Sequence, residues 1–230
     1  MTVAQQARIP GRLVPRTFFE ARPELVSPRL LGKLLVHRAN GHVMMGRIVE
    51  VEAYLGPHND PPDPAAHSHR GPTPRNLVLF GLPGHAYVYS IYGMYFCLNI
   101  SCEQEGHAGC VLLRALEPLA GLDQMTKNRG LDARTPPTPA FSKLLTSGPS
   151  RLCQALGVLR TTHNGLDVTR SESPLQVRDD GFTIPEAVAT PRIGINESNA
   201  AVDWPLRFAI PGNPCVSGPK NLKGKRVRIP

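Results

Sequence analysis

Two glutamates one residue apart, Glu50 and Glu52, stand in the run Gly46-Arg47-Ile48-Val49-Glu50-Val51-Glu52-Ala53-Tyr54. The residues between and around them are β-branched or small, so the run reads as a strand whose successive side chains point to opposite faces. Strict alternation puts Ile48, Glu50, Glu52 and Tyr54 on one face and Val49, Val51 and Ala53 on the other. Carboxylates displayed in this way can sit solvated, exchange protons with a substrate or hold a cation. Glu52 closes the strand just before a loop rich in histidine and aspartate, where functional polar groups commonly gather.

That loop, residues 55–76, carries His58, Asp60, Asp63, His67 and His69. None of them has the helical spacing of a two-histidine zinc site. Pro57, Pro61, Pro62 and Pro64 favour an extended path over a cage, so no metal is expected. At its far end Thr73, Arg75 and Asn76 place a hydroxyl, a guanidinium and an amide together, as phosphate contacts require; a plain surface turn explains them equally. Ser147-Gly148-Pro149-Ser150-Arg151 opens a helix, and Ser150 and Arg151 at such an N-terminus can meet phosphate, although capping alone accounts for the serine. Four of the five tyrosines fall in the run Tyr87-Val88-Tyr89-Ser90-Ile91-Tyr92-Gly93-Met94-Tyr95. Tyr87, Tyr89 and Ile91 share a face suited to core packing. Tyr92, beside the turn glycine, is displayed at the tip, where an aromatic can act as a wedge between bases.

The elements that must position these groups are legible in outline. Asn40-Gly41 between the apolar runs 33–38 and 43–53 predicts a hairpin. Strands are expected over 86–91, 95–101 and 110–115, and helices over 121–127 and 149–156. Ser27-Pro28 reads as a helix start, with serine as N-cap. Residues 131–139 form a proline-rich connection, and short strands and turns are expected beyond Ser173, including 206–210. The expected fold is α+β: a single mixed domain with a curved, largely antiparallel sheet flanked by helices. Its organisation is a flexible arm over 1–16, a single folded domain over 17–218 and a basic tail over 219–230.

The formal net charge of +8 points to a polyanionic partner such as nucleic acid. The five cysteines are odd in number and lack CxxC spacing, so buried reduced thiols are expected. No apolar run reaches the length of a membrane span, and residues 1–20 lack the apolar stretch of a secretion signal. The absence of acidic residues from 1–16 leaves an organellar transit peptide open. The expected location is the cytoplasm, on the nucleoid, in a bacterium, and the nucleus or an organelle in a eukaryote.

In this order, the blocks 46–56, 65–68, 73–76, 87–99 and 111–118 resemble the alkyladenine (3-methyladenine) DNA glycosylase family. The likeness runs from about residue 18 to 216. It implies a single mixed domain without a helix-hairpin-helix, no metal or other cofactor, and a monomer acting on double-stranded DNA with damaged purines. Those purines are of the 3-methyladenine, 7-methylguanine, hypoxanthine and ethenoadenine class. Glu52 then resembles the base that activates water, and Arg114 the residue that helps hold that water. Tyr54, His67 and Tyr89 resemble the walls around a flipped base, His67 also being placed to hydrogen-bond the flipped nucleotide. Asn99 resembles the pocket residue that disfavours guanine, and Tyr92 the side chain that enters the duplex. The matched blocks contain no lysine for a Schiff base, so the resemblance implies a monofunctional enzyme that leaves an abasic site. One departure is Pro61-Pro62-Asp63-Pro64, which lengthens the loop between Tyr54 and His67.

Overall fold

Asn40 and Gly41 both take positive φ, 50° and 76°, the geometry of a tight two-residue hairpin turn. They join β2 (Leu34–Ala39) to β3 (His42–Tyr54), as the sequence predicts. The computed structural model describes residues 9–132, 138–218 and 222–229. Within them, β1 (Arg12–Leu13), β4 (Ala86–Ile91), β5 (Tyr95–Cys102), β6 (Gly109–Ala120), β7 (Leu175–Asp179), β8 (Glu186–Thr190), β9 (Arg207–Ala209) and β10 (Lys225–Arg228) complete one unclosed antiparallel sheet. Its order is β1-β7-β2-β3-β6-β5-β4; β9 bridges β3 and β8, and β10 pairs with β8. With the helices described below, this is the single α+β domain expected.

β3 organises the sheet. Its first half pairs with β2, its second half with β9, and its other edge with β6 throughout. Register shifts interrupt the β3–β6 ladder between Ile48, Glu50 and Val51. Such bulges bend a strand and change which face a side chain occupies. Ile48 therefore joins Val51 and Ala53 in the main core and does not share the glutamates' face. Simple alternation fails here because it cannot register an extra residue.

The helices α1 (Pro23–Leu30), α2 (Leu122–Asn128), α3 (Pro139–Thr146), α4 (Pro149–Leu156) and α5 (Arg160–His163) flank the sheet. Val26 and Leu30 of α1, Met125 of α2, Leu145 of α3 and Leu152 and Leu156 of α4 meet Val88, Leu98, Ile100, Val111 and Leu113 in one apolar core. α1 corrects the reading of Ser27-Pro28. The helix starts earlier, at Pro23, which needs no partner for an absent N–H, and it carries Pro28 near its end. α3 lies partly in the expected proline-rich connection. Thr138 Oγ1 caps it by accepting from Phe141 N at 3.2 Å, and Pro139 takes the first helical position. Residues 133–137 of that connection lie outside the described residues.

Both chain ends join the sheet more than their composition suggests. Arg12 and Leu13, in the expected arm, pair with Asp179 and Arg178, while residues 1–8 lie outside the described residues. Lys225–Arg228, in the basic tail expected to fray, pairs with β8, and Val227 and Ile229 pack against the core. Two apolar side chains at alternate positions suffice to hold a strand that its basic residues obscure.

A buried histidine pair ties β2 to α5. His37 Nδ1 lies 2.7 Å from the Leu156 carbonyl, which can only accept, so that nitrogen carries the proton. His163 Nε2 then donates to His37 Nε2 at 2.9 Å, and His163 Nδ1 accepts from Leu159 N at 3.1 Å and from the Thr162 hydroxyl at 2.8 Å. A second proton on His37 would set its Nε2–H against the His163 Nε2–H. Burial, and then the His163 ring, hold His37 below the ordinary histidine range, and burial lowers His163 as well. Because the folded state favours the neutral rings, their contribution is present above about pH 6.5, the unfolded value, and is lost as pH falls. Stability to urea is expected to drop more steeply between pH 7.5 and 5 in the wild type than in a His37→Leu/His163→Leu variant. Equal slopes would refute this.

Candidate active site

The face of the sheet away from the helices is polar at β3. Glu52 pairs across to Leu112 of β6, Leu112 to Asn99 of β5, and Asn99 to Tyr87 of β4, so these side chains form one row. Glu52 is 0% exposed. A fully buried carboxylate is tolerable only when charge and donors compensate it. Arg114 of β6 lies with Nη1 3.2 Å from Glu52 Oε1; the same oxygen accepts from Ile193 N at 2.8 Å, and Tyr54 OH donates to Oε2 at 3.0 Å.

Glu50 is buried beside it but is used differently. Its Oε1 accepts from Arg114 Nε at 2.9 Å, Arg207 Nε at 2.7 Å and Ser217 Oγ at 2.7 Å, and its Oε2 from Ser217 N at 2.6 Å. Burial by itself would raise the Glu50 carboxyl; Arg114, Arg207 and the Ser217 donors outweigh it and hold the group below the usual carboxylate range. Burial would likewise lower Arg114, and Glu52 and Glu50 together hold it above the ordinary arginine value.

Tyr54 forms one side of an aromatic surface above this row. Burial, and then the Glu52 charge, push its phenol well above the ordinary tyrosine value, so it stays a donor to that carboxylate. The Arg192 guanidinium packs over its ring at 4.5 Å and makes a two-pronged pair with Asp63, at 2.5 and 2.9 Å. Asp63 also accepts from Leu55 N at 3.1 Å and Ala65 N at 3.0 Å, fixing both ends of the lengthened loop. Further along, His67 Nδ1 sits 3.0 Å from Tyr87 OH, and its ring meets Tyr89 edge-on at 4.5 Å. Partial withdrawal from water and then the Arg75 charge keep His67 below its ordinary range, which favours neutral imidazole. Burial raises Tyr87 to about 12 and also lifts Tyr89. Tyr54, His67 and Tyr89 thus belong to one aromatic surface, with Arg75 stacked over Tyr89 at 5.5 Å.

Tyr92 occupies the turn between β4 and β5. It is 89% exposed, with a φ of 51° beside Gly93 at 71°. A non-glycine residue held in the left-handed region costs about 1–3 kcal/mol. The turn spends this to project the ring from the hairpin tip, with Met94 and Tyr95 exposed beside it. Ser150 lies at the start of α4, and Arg151 is exposed next to it, within electrostatic reach of Arg129. Thr73 and Arg75 are exposed.

Asn76 differs from its expected use. It is buried, its Oδ1 accepts from Thr73 N and Oγ1 at 2.6 and 3.0 Å, and its Nδ2 donates to the His67 and Gly71 carbonyls at 2.8 and 3.1 Å. With both ends of its amide used inside the loop, Asn76 shapes the segment that carries His67 and has none left for a phosphate. Asn99 is also buried, donating to the Tyr87 carbonyl at 3.2 Å.

The loop's acid and imidazole groups do not converge on a cation. Asp63 is committed to Arg192, His67 faces Tyr87, and His58 packs edge-on against His107 at 5.5 Å. Among the described residues no group of three His, Cys, Asp or Glu is arranged to hold a metal. All five cysteines are buried free thiols. A groove of about 1020 Å³ lies at the β1 end of the sheet, lined by Arg12, Phe18, Lys33 and Phe182 among others, and shares no residue with the Glu52 face.

Four partners escaped sequence reasoning: Arg192, Ile193, Arg207 and Ser217. All are more than 120 residues downstream of their partners: Ile193 reaches Glu52, Arg207 and Ser217 reach Glu50, and Arg192 reaches Asp63, each only through the fold. The one available signal was compositional: two glutamates inside an otherwise apolar strand require buried cations from elsewhere.

The chain is similar to known proteins over most of its length. A family model described as methylpurine-DNA glycosylase matches residues 17–214. A protein of Koribacter versatilis is 49% identical over 209 residues, covering 91% of this chain and 95% of its own. One from Burkholderia orbicola is 46% identical over 210 residues, covering 91% and 93%, and one from Alkaliphilus oremlandii 44% over 204 residues, covering 88% and 97%. Each of the three bears the name "Putative 3-methyladenine DNA glycosylase". With the family matched over most of the chain and around the Glu52 face, this protein belongs to the methylpurine-DNA glycosylase family, whose members are DNA-directed hydrolases.

Proposed function

We propose that the protein is a monofunctional DNA glycosylase. It rotates damaged purines of the 3-methyladenine, 7-methylguanine, hypoxanthine and ethenoadenine class out of duplex DNA, and hydrolyses the N-glycosidic bond with a water activated by Glu52. The observation that carries this reading is a fully buried Glu52 held by Arg114, Ile193 N and Tyr54 OH below the aromatic surface of Tyr54, His67 and Tyr89.

A base inside a duplex is out of reach, so the nucleotide must leave the stack, at a cost of a few kcal/mol. Breaking the bond to the sugar builds positive charge on the sugar ring, as in other glycoside hydrolysis. A carboxylate beneath can then take a proton from water and stabilise that charge. Aromatic faces favour purines made cationic by alkylation, which also leave readily. Arg75, Ser150 and Arg151 would meet phosphates around the site, Asn99 would line the base pocket, and the enzyme would act as a monomer without metal. No lysine falls in 46–56, 87–99 or 111–118, so a Schiff base and strand cleavage are not proposed.

The test is incubation with duplexes containing ethenoadenine, hypoxanthine or an alkylated purine in the presence of EDTA. Base release that leaves an intact abasic strand is expected; release from none of these substrates would end the proposal. The hairpin tip makes a further expectation. Base–aromatic stacking is worth about 1–3 kcal/mol, so Tyr92→Ala should lower lesion excision from duplexes about 5- to 150-fold. The melting temperature should not fall, because the ring is exposed and alanine meets the same backbone φ. Wild-type excision by this variant would remove Tyr92 from the role of wedge.

A further inference from the structure

Glu50 is buried, two residues from Glu52, and carries none of the chemistry assigned so far. Its side chain is fully buried and accepts four hydrogen bonds from Arg114, Arg207 and Ser217, three of them on Oε1, so it is committed to protein donors. Those donors come from β6, β9 and the segment after β9, and Glu50 is the anion at their meeting point. Arg114 in particular is oriented from two sides: Nε on Glu50 at 2.9 Å and Nη2 on Ser217 Oγ at 3.4 Å. That leaves Nη1 directed at Glu52. The paired carboxylates and the two arginines also cancel in charge.

We propose that Glu50 is a positioning residue: its carboxylate clamps Arg114, Arg207 and Ser217 so that Arg114 Nη1 stays on Glu52 and the buried site remains charge-balanced. The inference rests on the reading of Glu52 as the base. A carboxylate here does what no neutral residue could. Removing it leaves two guanidiniums sharing one anion, and Arg114 keeps only the Ser217 hydroxyl at 3.4 Å to hold its Nη1 in place on Glu52.

The charged and titratable groups that bear on Glu52 are Glu50 and Tyr54 of its own strand, Arg114 of β6, Cys97 of β5, Arg207 of β9, and Arg192 with its partner Asp63 behind Tyr54. The test changes the net charge among them in opposite directions. Single-turnover base release from an ethenoadenine duplex is followed from pH 4.5 to 9 for Glu50→Gln, Arg207→Gln and the double variant, with Glu52→Gln alongside. Glu50→Gln is expected to lower the maximal rate about tenfold or more, the effect of a small displacement in a reacting site, with DNA affinity within about twofold of wild type. Its acid limb should move to lower pH, because a neighbouring anion has gone. The acid limb of Arg207→Gln should move to higher pH, and that of the double variant should return toward wild type. A merely structural loss would lower the folded fraction without moving the two limbs in opposite directions.

Wild-type rate and an unmoved acid limb in folded Glu50→Gln, while Glu52→Gln is inactive, overturn the inference and leave the reading of Glu52 intact. An active Glu52→Gln overturns that reading instead. If Glu50→Gln does not fold, Arg207→Gln and Ser217→Ala decide: unchanged rates and acid limbs in both overturn the proposal.

Discussion

Glu52→Gln is expected to lower base release by roughly 10²–10⁴-fold, the usual contribution of a positioned acid–base group, while binding to lesion-containing duplex stays near wild type. The amide has the carboxylate's shape, so its oxygen can still accept from Ile193 N, and the aromatic surface above is untouched. It cannot take a proton from water, nor offset positive charge developing on the sugar. The loss should therefore fall on the chemical step. Single-turnover rates and equilibrium binding, measured on the same ethenoadenine duplex, separate the two effects. Turnover at the wild-type rate would remove Glu52 from the mechanism, and loss of binding equal to loss of rate would make its role one of recognition.

Asp63→Ala is expected to be the most destabilising of the changes considered, by about 3–5 kcal/mol, because it leaves the Arg192 guanidinium in the interior without its anion. Both side chains are fully buried in the pair. The same carboxylate holds Leu55 N and Ala65 N, so the loop that carries His67 loses its anchor, and the Tyr54 ring loses a fixed guanidinium behind it. Urea unfolding measures the first effect. Replacing both partners, as in Asp63→Leu/Arg192→Met, should recover much of the loss, since no charge is then stranded. An unchanged midpoint in Asp63→Ala would show that the pair contributes nothing to the fold. Excision by whatever folded fraction remains should also fall, because two walls of the aromatic surface depend on one ion pair.

The elements set by local chemistry were legible. Asn40-Gly41 marks its hairpin because both residues tolerate positive φ, and β4, β5 and β6 lie close to the strands expected over 86–91, 95–101 and 110–115. α1 and β10 were misjudged for a common reason. Pro28 and the basic tail are strong local signals, and packing of Val26, Leu30, Val227 and Ile229 overrides them. The glutamates' face was read correctly from Glu50 onward, but Ile48 was not, because a bulge shifts the phase between them. Asn76 was read as a surface group because a TPRN turn looks exposed, whereas its amide is used up inside the loop.

What the sequence determined by itself was the strand that presents Glu52 and Tyr54, the turn that projects Tyr92, and, through ordered blocks of residues, the family. These depend on neighbours within a few positions, where steric and backbone preferences act. Which cations and donors meet the buried carboxylates of Glu50, Glu52 and Asp63 was decided only by the tertiary structure. Arg114, Arg192, Ile193, Arg207 and Ser217 come from distant strands and loops. Compensation of a buried charge depends on distance in space, and separation along the chain carries no information about it.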